Sequence, residues 1–253
     1  MDLCLMVLQG GLGNQLFQLL TGIEYAYKHG KILRLVQVIS NRRPYYWDTI
    51  LKKYAHLLIE HKDIPANTVV YMEPHTGYQE LPLIPGNVCF YGYFQSIKYF
   101  PYVLGSMDLI PSLGLTAPRL PDNAVIVHAR RGDYLSLSDV HPVQTEKYYS
   151  EAATIMESMV SDPYFILLSD DDQYWSEMAS GIFNRYVVWL DACEINTLAM
   201  MVGASNFIIA NSTYSWWGAV LSKAKNVIAP ERWYGEKSGR DAKDMYLDHW
   251  IRL

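Results

Sequence analysis

Two arginines stand side by side in His128-Ala129-Arg130-Arg131-Gly132-Asp133-Tyr134, directly after the apolar run Ala124-Val125-Ile126-Val127. That run predicts a buried strand. Charge at the carboxyl end of a parallel strand fits ligand binding, because open α/β sheets take their ligands there. Two guanidiniums suit a diphosphate, since each offers bidentate, charge-assisted hydrogen bonds. The alternative is a strand-end ion pair in which Asp133 neutralises one arginine. The heptapeptide by itself leaves both open.

Three further polar clusters could do chemistry. Gln9-Gly10-Gly11-Leu12-Gly13-Asn14-Gln15 follows an apolar run at residues 3–8. It precedes Leu16, Phe17, Leu19, Leu20, Ile23 and Tyr27, whose spacing is helical, with Gly30 as a stop. Glycines allow a tight turn and close backbone approach, and the helix start offers amides to an anion. Leu16 stands where a dinucleotide fingerprint needs its third glycine, and no Gly-Lys-Ser/Thr follows for a Walker A loop. A glycine turn needed only for packing is the alternative. Ser169-Asp170-Asp171-Asp172 contains D-x-D, which can hold a divalent metal between diphosphate oxygens. Arginines neutralise a leaving diphosphate in the same way, so a site with Arg130 and Arg131 needs a metal less. The carboxylates could instead bond a base or ribose, or cap a helix. Asn211-Ser212-Thr213-Tyr214-Ser215 precedes another helix and could hold a phosphate or simply cap that helix. Trp216 and Trp217 read as core packing.

Strands at 3–8, 31–38, 88–95, 124–128, 164–168, 186–190, 206–210 and 226–229 are expected to carry these clusters. Helices are expected at 145–159, about 173–180, 194–202 and up to 224. Thr145 is the N-cap of the first of these, with Tyr148, Tyr149, Ala152, Ile155, Met156 and Met159 on its apolar face. Residues 41–90 are broken by Pro44, Pro65, Pro74, Pro82 and Pro85. They read as a loop-rich part shaping an acceptor site, helical only at 49–59. Residues 95–100 turn towards a short helix ended by Pro101. Residues 112–121, with Gly114, Pro118 and Pro121, read as a linker. The expected domains are 1–115, which carries the glycine-rich loop, and 122–253, a Rossmann-like unit. Strands alternating with helices imply a parallel, doubly wound sheet, and the polar clusters fall at strand carboxyl ends.

Half of the 253 residues are hydrophobic, enough for a sizeable core, and the net charge is −5. That charge argues against a general nucleic-acid binder, and it makes the arginine pair stand out as a seat for a discrete anion. The 20 Tyr and 7 Trp are residue types that stack on sugars or flat ligands. Cys4, Cys89 and Cys193 form no zinc spacing; Cys4 and Cys193 read as core residues in a reducing compartment. The run at 3–8 is too short for a signal peptide or anchor, and no stretch approaches about 18 apolar residues. The expectation is a soluble cytoplasmic protein, free or peripheral at a membrane surface, with no transmembrane segment.

Residues 10–18, 128–134, 165–171 and 211–219 resemble the four motifs of the α-1,2-fucosyltransferases, glycosyltransferase family 11, of bacterial and viral type. Tyr91-Gly92-Tyr93-Phe94-Gln95-Ser96-Ile97-Lys98-Tyr99-Phe100 is similar to another family segment, and Ile228-Ala229-Pro230-Glu231-Arg232-Trp233-Tyr234 to its tail. The resemblance implies a GT-B-like α/β fold, two Rossmann-like domains with a cleft between them. It implies inverting transfer of L-fucose from GDP-fucose to the 2-hydroxyl of a galactose-terminated glycan acceptor, with no metal and no cofactor beyond that co-substrate. Arg130 would grip the diphosphate, helped by Asn14 and by Ser212, Thr213, Tyr214 and Ser215. His128 and Asp170 would contact the nucleoside or hold the site. Gly11, Gly13, Gln15 and Arg131 complete the expected donor-binding set. Thr197, Ala129 and Tyr214, the last within that set, depart from the family's usual residues without threatening the donor site.

In such a reaction Arg130 stabilises the leaving group, while Arg131 pairs with an internal carboxylate and holds the loop. Asp133, Asp139 and His141 are the candidate bases for the acceptor proton. Two rivals stand beside this reading. One is a nucleotide-sugar transferase using a metal held by Asp170 and Asp172. The other is a non-catalytic nucleotide- or glycan-binding module.

Overall fold

Contiguous apolar runs form the central strands, as expected where helices cover both faces of a parallel sheet. The computed structural model describes residues 1–38, 44–74, 77–191 and 193–253; part of the expected loop-rich segment 41–90 lies outside the described residues. The chain divides into two units, Met1–Leu115 with Lys243–Met245, and Thr116–Ala242 with Tyr246–Leu253.

The first unit contains β1 (Leu3–Leu8), α1 (Leu12–Lys28), β2 (Ile32–Gln37), β3 (Leu58–Ile59), β4 (Val69–Met72), β5 (Val88–Tyr91), α2 (Pro101–Ser106) and α3 (Leu109–Ser112). Its sheet order is β3-β2-β1-β5-β4, parallel throughout. Leu5, Val7, Val36 and Cys89 pack together on one face. Gly30, at φ +60, follows the His29 cap of α1, as its sequence position predicts.

Three expectations need correction in this unit. The helix expected at 49–59 is a 3-10 turn, Lys52–Leu57, running into β3. Segment 41–90 also carries β4, a strand not foreseen. Pro101 starts a helix rather than ending one: it occupies the first turn of α2, where its missing N–H has no helical partner to lose.

The second unit contains β6 (Ala124–Ala129), α4 (Glu146–Met159), β7 (Tyr164–Ser169), α5 (Tyr174–Ile182), β8 (Tyr186–Val188), α6 (Glu194–Val202), β9 (Asn206–Ile208), α7 (Thr213–Leu221), β10 (Asn226–Ala229) and β11 (Ile251–Arg252). Sheet order is β11-β10-β9-β6-β7-β8, again all parallel. Strand order therefore reverses between β6 and β9, the place where such sheets open a crevice for ligands. Val125, Val127 and Ala129 pack under Tyr149, Ala152 and Trp175. Alternation along the strand sends Ile126 and His128 to the other face. Thr145 caps α4 by accepting from the Tyr148 amide. Trp216 and Trp217 are buried edge-to-face against each other, as core packing requires.

β11 extends the sheet beyond the strand expected to be last. Cys193 is exposed at the start of α6, not in the core, because it caps the helix instead of facing the sheet. All three cysteines are free thiols. Among the described residues, no helix is long and apolar enough to cross a membrane.

Candidate functional site

β6 ends at Ala129, so Arg130 and Arg131 begin the loop at the sheet's carboxyl edge. Neither side chain is loose. Arg130 Nη2 donates to Asp133 Oδ1 at 2.6 Å, and its Nη1 lies 3.0 Å from Asp170 Oδ2. The guanidinium also rests over the Tyr134 ring, 5.3 Å from its centre. Arg131 Nε donates to Asp171 Oδ2 at 3.0 Å, and its guanidinium stacks 4.1 Å from the centre of the Tyr174 ring.

Asp170, at the end of β7, ties the two strand ends together. Besides the Arg130 pair it accepts the Arg131 backbone N–H at 2.7 Å. A side chain at Gly132 would collide with its carboxylate. Asp171 caps the turn into α5 by accepting from Gln173 N. The ion-pair alternative at Asp133 and the arginine–carboxylate expectation for Arg131 are thus both realised, and Asp170 and Asp171 of the acidic triplet serve the arginine loop. Among the described residues no group of three or more His, Cys, Asp or Glu could hold a metal ion.

His128 is buried behind this loop. Burial, with Arg130 nearby, pushes its pKa down to about 3, so the ring is neutral at physiological pH. Its Nδ1 has no hydrogen-bond partner, and its ring lies 5.9 Å from that of Tyr214. Tyr149 donates its hydroxyl to the His128 carbonyl, and Tyr148 donates to the Ile209 carbonyl at 2.6 Å. These two hydroxyls serve the carbonyls where β6 and β9 diverge.

The loop after β9 is a scaffold more than a polar cradle. Asn211 donates to Trp233 O, accepts from Gln144, and offers its own carbonyl to the Tyr134 hydroxyl. Ser212 caps α7 by accepting from Tyr214 N. Ser215 is fully buried, its hydroxyl directed at the carbonyls of Ala210 and Ser212. One turn into a helix, a serine hydroxyl turns back to its own backbone in this way. Thr213 and Tyr214 remain half-buried, Tyr214 donating its hydroxyl to Glu194 O.

The three candidate bases differ. Asp139 is exposed and paired with Lys237, with its carbonyl accepting from Lys237 N, so it braces loop against loop. Asp133 holds Arg130. His141 stacks on Tyr134, ring centres 4.6 Å apart; burial lowers its pKa while Asp133 opposes the shift.

In the first unit, Gly11 caps α1 without a side-chain bond, leaving the helix start to its backbone amides. Gly10 sits at φ +81, and a side chain there would meet the Asn14 amide. Gly13 is buried in the first turn. Gln15 donates to Gly10 O at 3.0 Å and accepts from Trp47 Nε1 at 3.2 Å, which braces the loop. Asn14 accepts from Gln95 Nε2 at 2.8 Å. Gln95, Glu73, Tyr134 and Asp171 are the structural partners that the expected set omits. Tyr134 and Asp171 lay inside motifs already singled out; Glu73 carried no signal.

The profile of glycosyl transferase family 11 matches residues 79–253. The O-antigen biosynthesis glycosyltransferase WbnK of Escherichia coli is 36% identical over 138 residues, 52% of this chain and 45% of WbnK, so the match spans less than half of that relative. An alpha-1,2-colitosyltransferase of Escherichia coli is 27% identical across 97% of both chains. Among solved structures, the family 9 glycosyl transferase of Veillonella parvula DSM 2008 aligns over the whole chain and 86% of its own, with a TM-score of 0.53 at 10% identity. POFUT1 in complex with GDP-fucose aligns over 88% of this chain and 95% of its own, with a TM-score of 0.50 at 12% identity. The fold is GT-B-like α/β, and by the extent of the family match the chain belongs to glycosyl transferase family 11.

Proposed function

We propose that the chain is an inverting glycosyltransferase that moves L-fucose from GDP-fucose to the 2-hydroxyl of a galactose at the end of a glycan. The observation that carries this reading is the arginine loop at the β6–β9 crevice, with the Arg130 guanidinium held by two carboxylates and the Tyr134 ring, and that of Arg131 by Asp171 and the Tyr174 ring. Family membership and the α-1,2 linkage named for the colitosyltransferase support the reaction type, and POFUT1 shows a related fold holding GDP-fucose.

As the bond from fucose C1 to the diphosphate breaks, negative charge grows on the β-phosphate. A guanidinium fixed in advance stabilises that charge without reorganising. Arg130 has this role, and Arg131 holds the loop. Asp170 is committed to both arginines, which favours a metal-independent mechanism over a metal held by Asp170 and Asp172. His141, kept neutral by burial, is the base we retain for the acceptor proton.

One second reading is favoured by a specific observation: the full-length relative transfers colitose, so a colitosyl donor is the alternative. GDP release is measured from GDP-fucose, GDP-colitose, GDP-mannose and UDP-galactose, with and without lactose, in EDTA and in Mn²⁺. Release from GDP-fucose in EDTA, raised by lactose, is expected. Preference for GDP-colitose moves the second reading ahead. Turnover that appears only with Mn²⁺ refutes the arginine mechanism.

A further inference from the structure

The segment following β5 has no part in the arginine chemistry, yet its backbone is strained. Phe94 sits at φ +52, a left-handed conformation that a non-glycine residue adopts at a cost of about 1 kcal/mol or more. Strain of that kind persists where the surroundings impose it, and here they do. Glu73, just past the end of β4, accepts Tyr93 N at 2.6 Å on one oxygen and Phe94 N at 2.8 Å on the other. Gly92 leaves room for the Glu73 side chain, and its carbonyl accepts from Gln18 of α1. Phe94 is fully buried, edge-on to Phe90 and Tyr99.

The outcome of this bracing is the placement of Gln95. β5 lies next to β1, so the 92–96 turn and the glycine-rich loop leave the sheet side by side. Gln95 Nε2 donates to Asn14 Oδ1 at 2.8 Å, while Asn14 Nδ2 lies over Gly10, in the space a side chain there would need. The amide of Asn14 therefore has its carbonyl end turned to Gln95 and its donor end turned to the glycine loop, beside the amides that open α1.

We propose that Gln95 is a positioning residue for the donor substrate: it fixes the Asn14 amide so that an N–H, rather than a carbonyl, is presented to a diphosphate oxygen. Glu73 secures Gln95 by holding the strained turn. The inference rests on the nucleotide-sugar reading above. It adds the reason why a glutamine follows the segment Tyr91-Gly92-Tyr93-Phe94: that strained turn delivers a side-chain donor to Asn14.

A double-mutant cycle tests it. Asn14→Ala, Gln95→Ala and the double variant are assayed for GDP release and for GDP affinity by calorimetry, with melting temperatures measured alongside. Gln95→Ala lowers kcat/KM for the nucleotide sugar about 10- to 100-fold, the scale of one lost hydrogen bond to a charged group. Because Gln95 acts through Asn14, the double variant falls no more than about 3-fold below Asn14→Ala alone. Gln95→Glu keeps the length but accepts instead of donating, so it turns the Asn14 amide around and loses at least as much as Gln95→Ala. KM for the glycan acceptor stays within about 2-fold throughout. Losses that multiply in the double variant, or wild-type kcat/KM in Gln95→Ala and in Gln95→Glu, overturn the proposal. Should Gln95→Ala fold poorly, Gln95→Met preserves the packing and is read the same way. A wrong donor shows in the wild-type chain, whose preferred nucleotide sugar is used for the cycle, whereas a wrong role for Gln95 shows only in the variants.

Discussion

A single methyl group at Gly132 is expected to disable the arginine loop. A Cβ there would lie inside van der Waals contact of Asp170 Oδ2 and 3.3 Å from its Cγ. Gly132 is not among the residues with positive φ, so alanine fits the backbone and the whole effect passes through Asp170. Room is made only by turning that carboxylate away from Arg131 N at 2.7 Å and Arg130 Nη1 at 3.0 Å. Bonds to a charged group contribute roughly 1.5–3 kcal/mol each when shielded. The Asp170 side chain is 27% exposed, so water replaces part of what is lost. The net cost is about 1–2 kcal/mol. In a chain of this size that lowers the melting temperature by about 2–8 °C. Turnover suffers more. Arg130 keeps only Asp133 as an ion partner and shifts with it, and a displacement near 1 Å costs about 100-fold in rate. The assay is GDP release from the preferred donor, with melting followed by calorimetry. Asp170→Ala supplies the control: it loses the same bonds and removes the obstacle, so adding Gly132→Ala to it lowers neither melting nor turnover further. Wild-type turnover in Gly132→Ala, or a full second loss on the Asp170→Ala background, refutes the reasoning.

Arg130→Lys keeps the charge but cannot reach Asp133 and Asp170 from separate nitrogens, and loses about 10²–10³ in kcat; full activity would refute the fork. Arg131→Lys, which gives up the Tyr174 stack and the Asp171 bond, lowers stability by about 1 kcal/mol in a denaturant titration and costs kcat less than Arg130→Lys does. His128 is neutral in the fold down to about pH 3, whereas the unfolded chain protonates it below about 6.5. The unfolded state therefore binds the extra proton between those values, and stability falls as pH drops through that window. The His128 contribution is about 2 kcal/mol between pH 7.5 and 5; urea midpoints at the two pH values should show a smaller difference in His128→Asn. Tyr148→Phe removes the donor to Ile209 O and lowers stability by about 1–2 kcal/mol, with KM for the donor unchanged.

The fold class was legible because the central strands of a covered parallel sheet are unbroken apolar runs, as in Ala124–Ala129 and Leu3–Leu8. The two edge strands of the first sheet were not. Val69–Met72 is largely exposed and lies among prolines, and Leu58–Ile59 is only two residues long. Such strands exist because a neighbour pairs with them, which local sequence does not record. Cys193 misled for a related reason: its apolar character says nothing of the turn that caps α6. Within the site, the arginine pair and its loop could be read from residue types, but side-chain direction could not. Ser215 and Gln15 have the chemistry to touch a phosphate, yet one turns back to its own helix and the other to Trp47 and Gly10. Glu73 was invisible because its role depends on a strained turn about twenty residues further on.

The acidic triplet shows why residue types alone left two mechanisms open. Adjacent arginines and a D-x-D sequence can each neutralise a diphosphate, and a sequence containing both gives no order of preference. The proposed mechanism ranks the arginines first, and the geometry supports that order. Long arginine side chains lose much rotamer freedom on gripping a ligand. Here Asp133, Asp170 and Tyr134 hold Arg130, while Asp171 and Tyr174 hold Arg131, so that loss falls on folding rather than on binding. Two guanidiniums beside three carboxylates also leave this edge without excess positive charge. On the proposed reading, affinity for an anion at this edge comes from where N–H groups point, not from the sum of charges. Directed donors of that kind act most strongly on charge that develops at one oxygen during reaction, and Asp170, which pairs with the Arg130 guanidinium and accepts the Arg131 backbone N–H just past the end of β7, ties the loop that sets that direction.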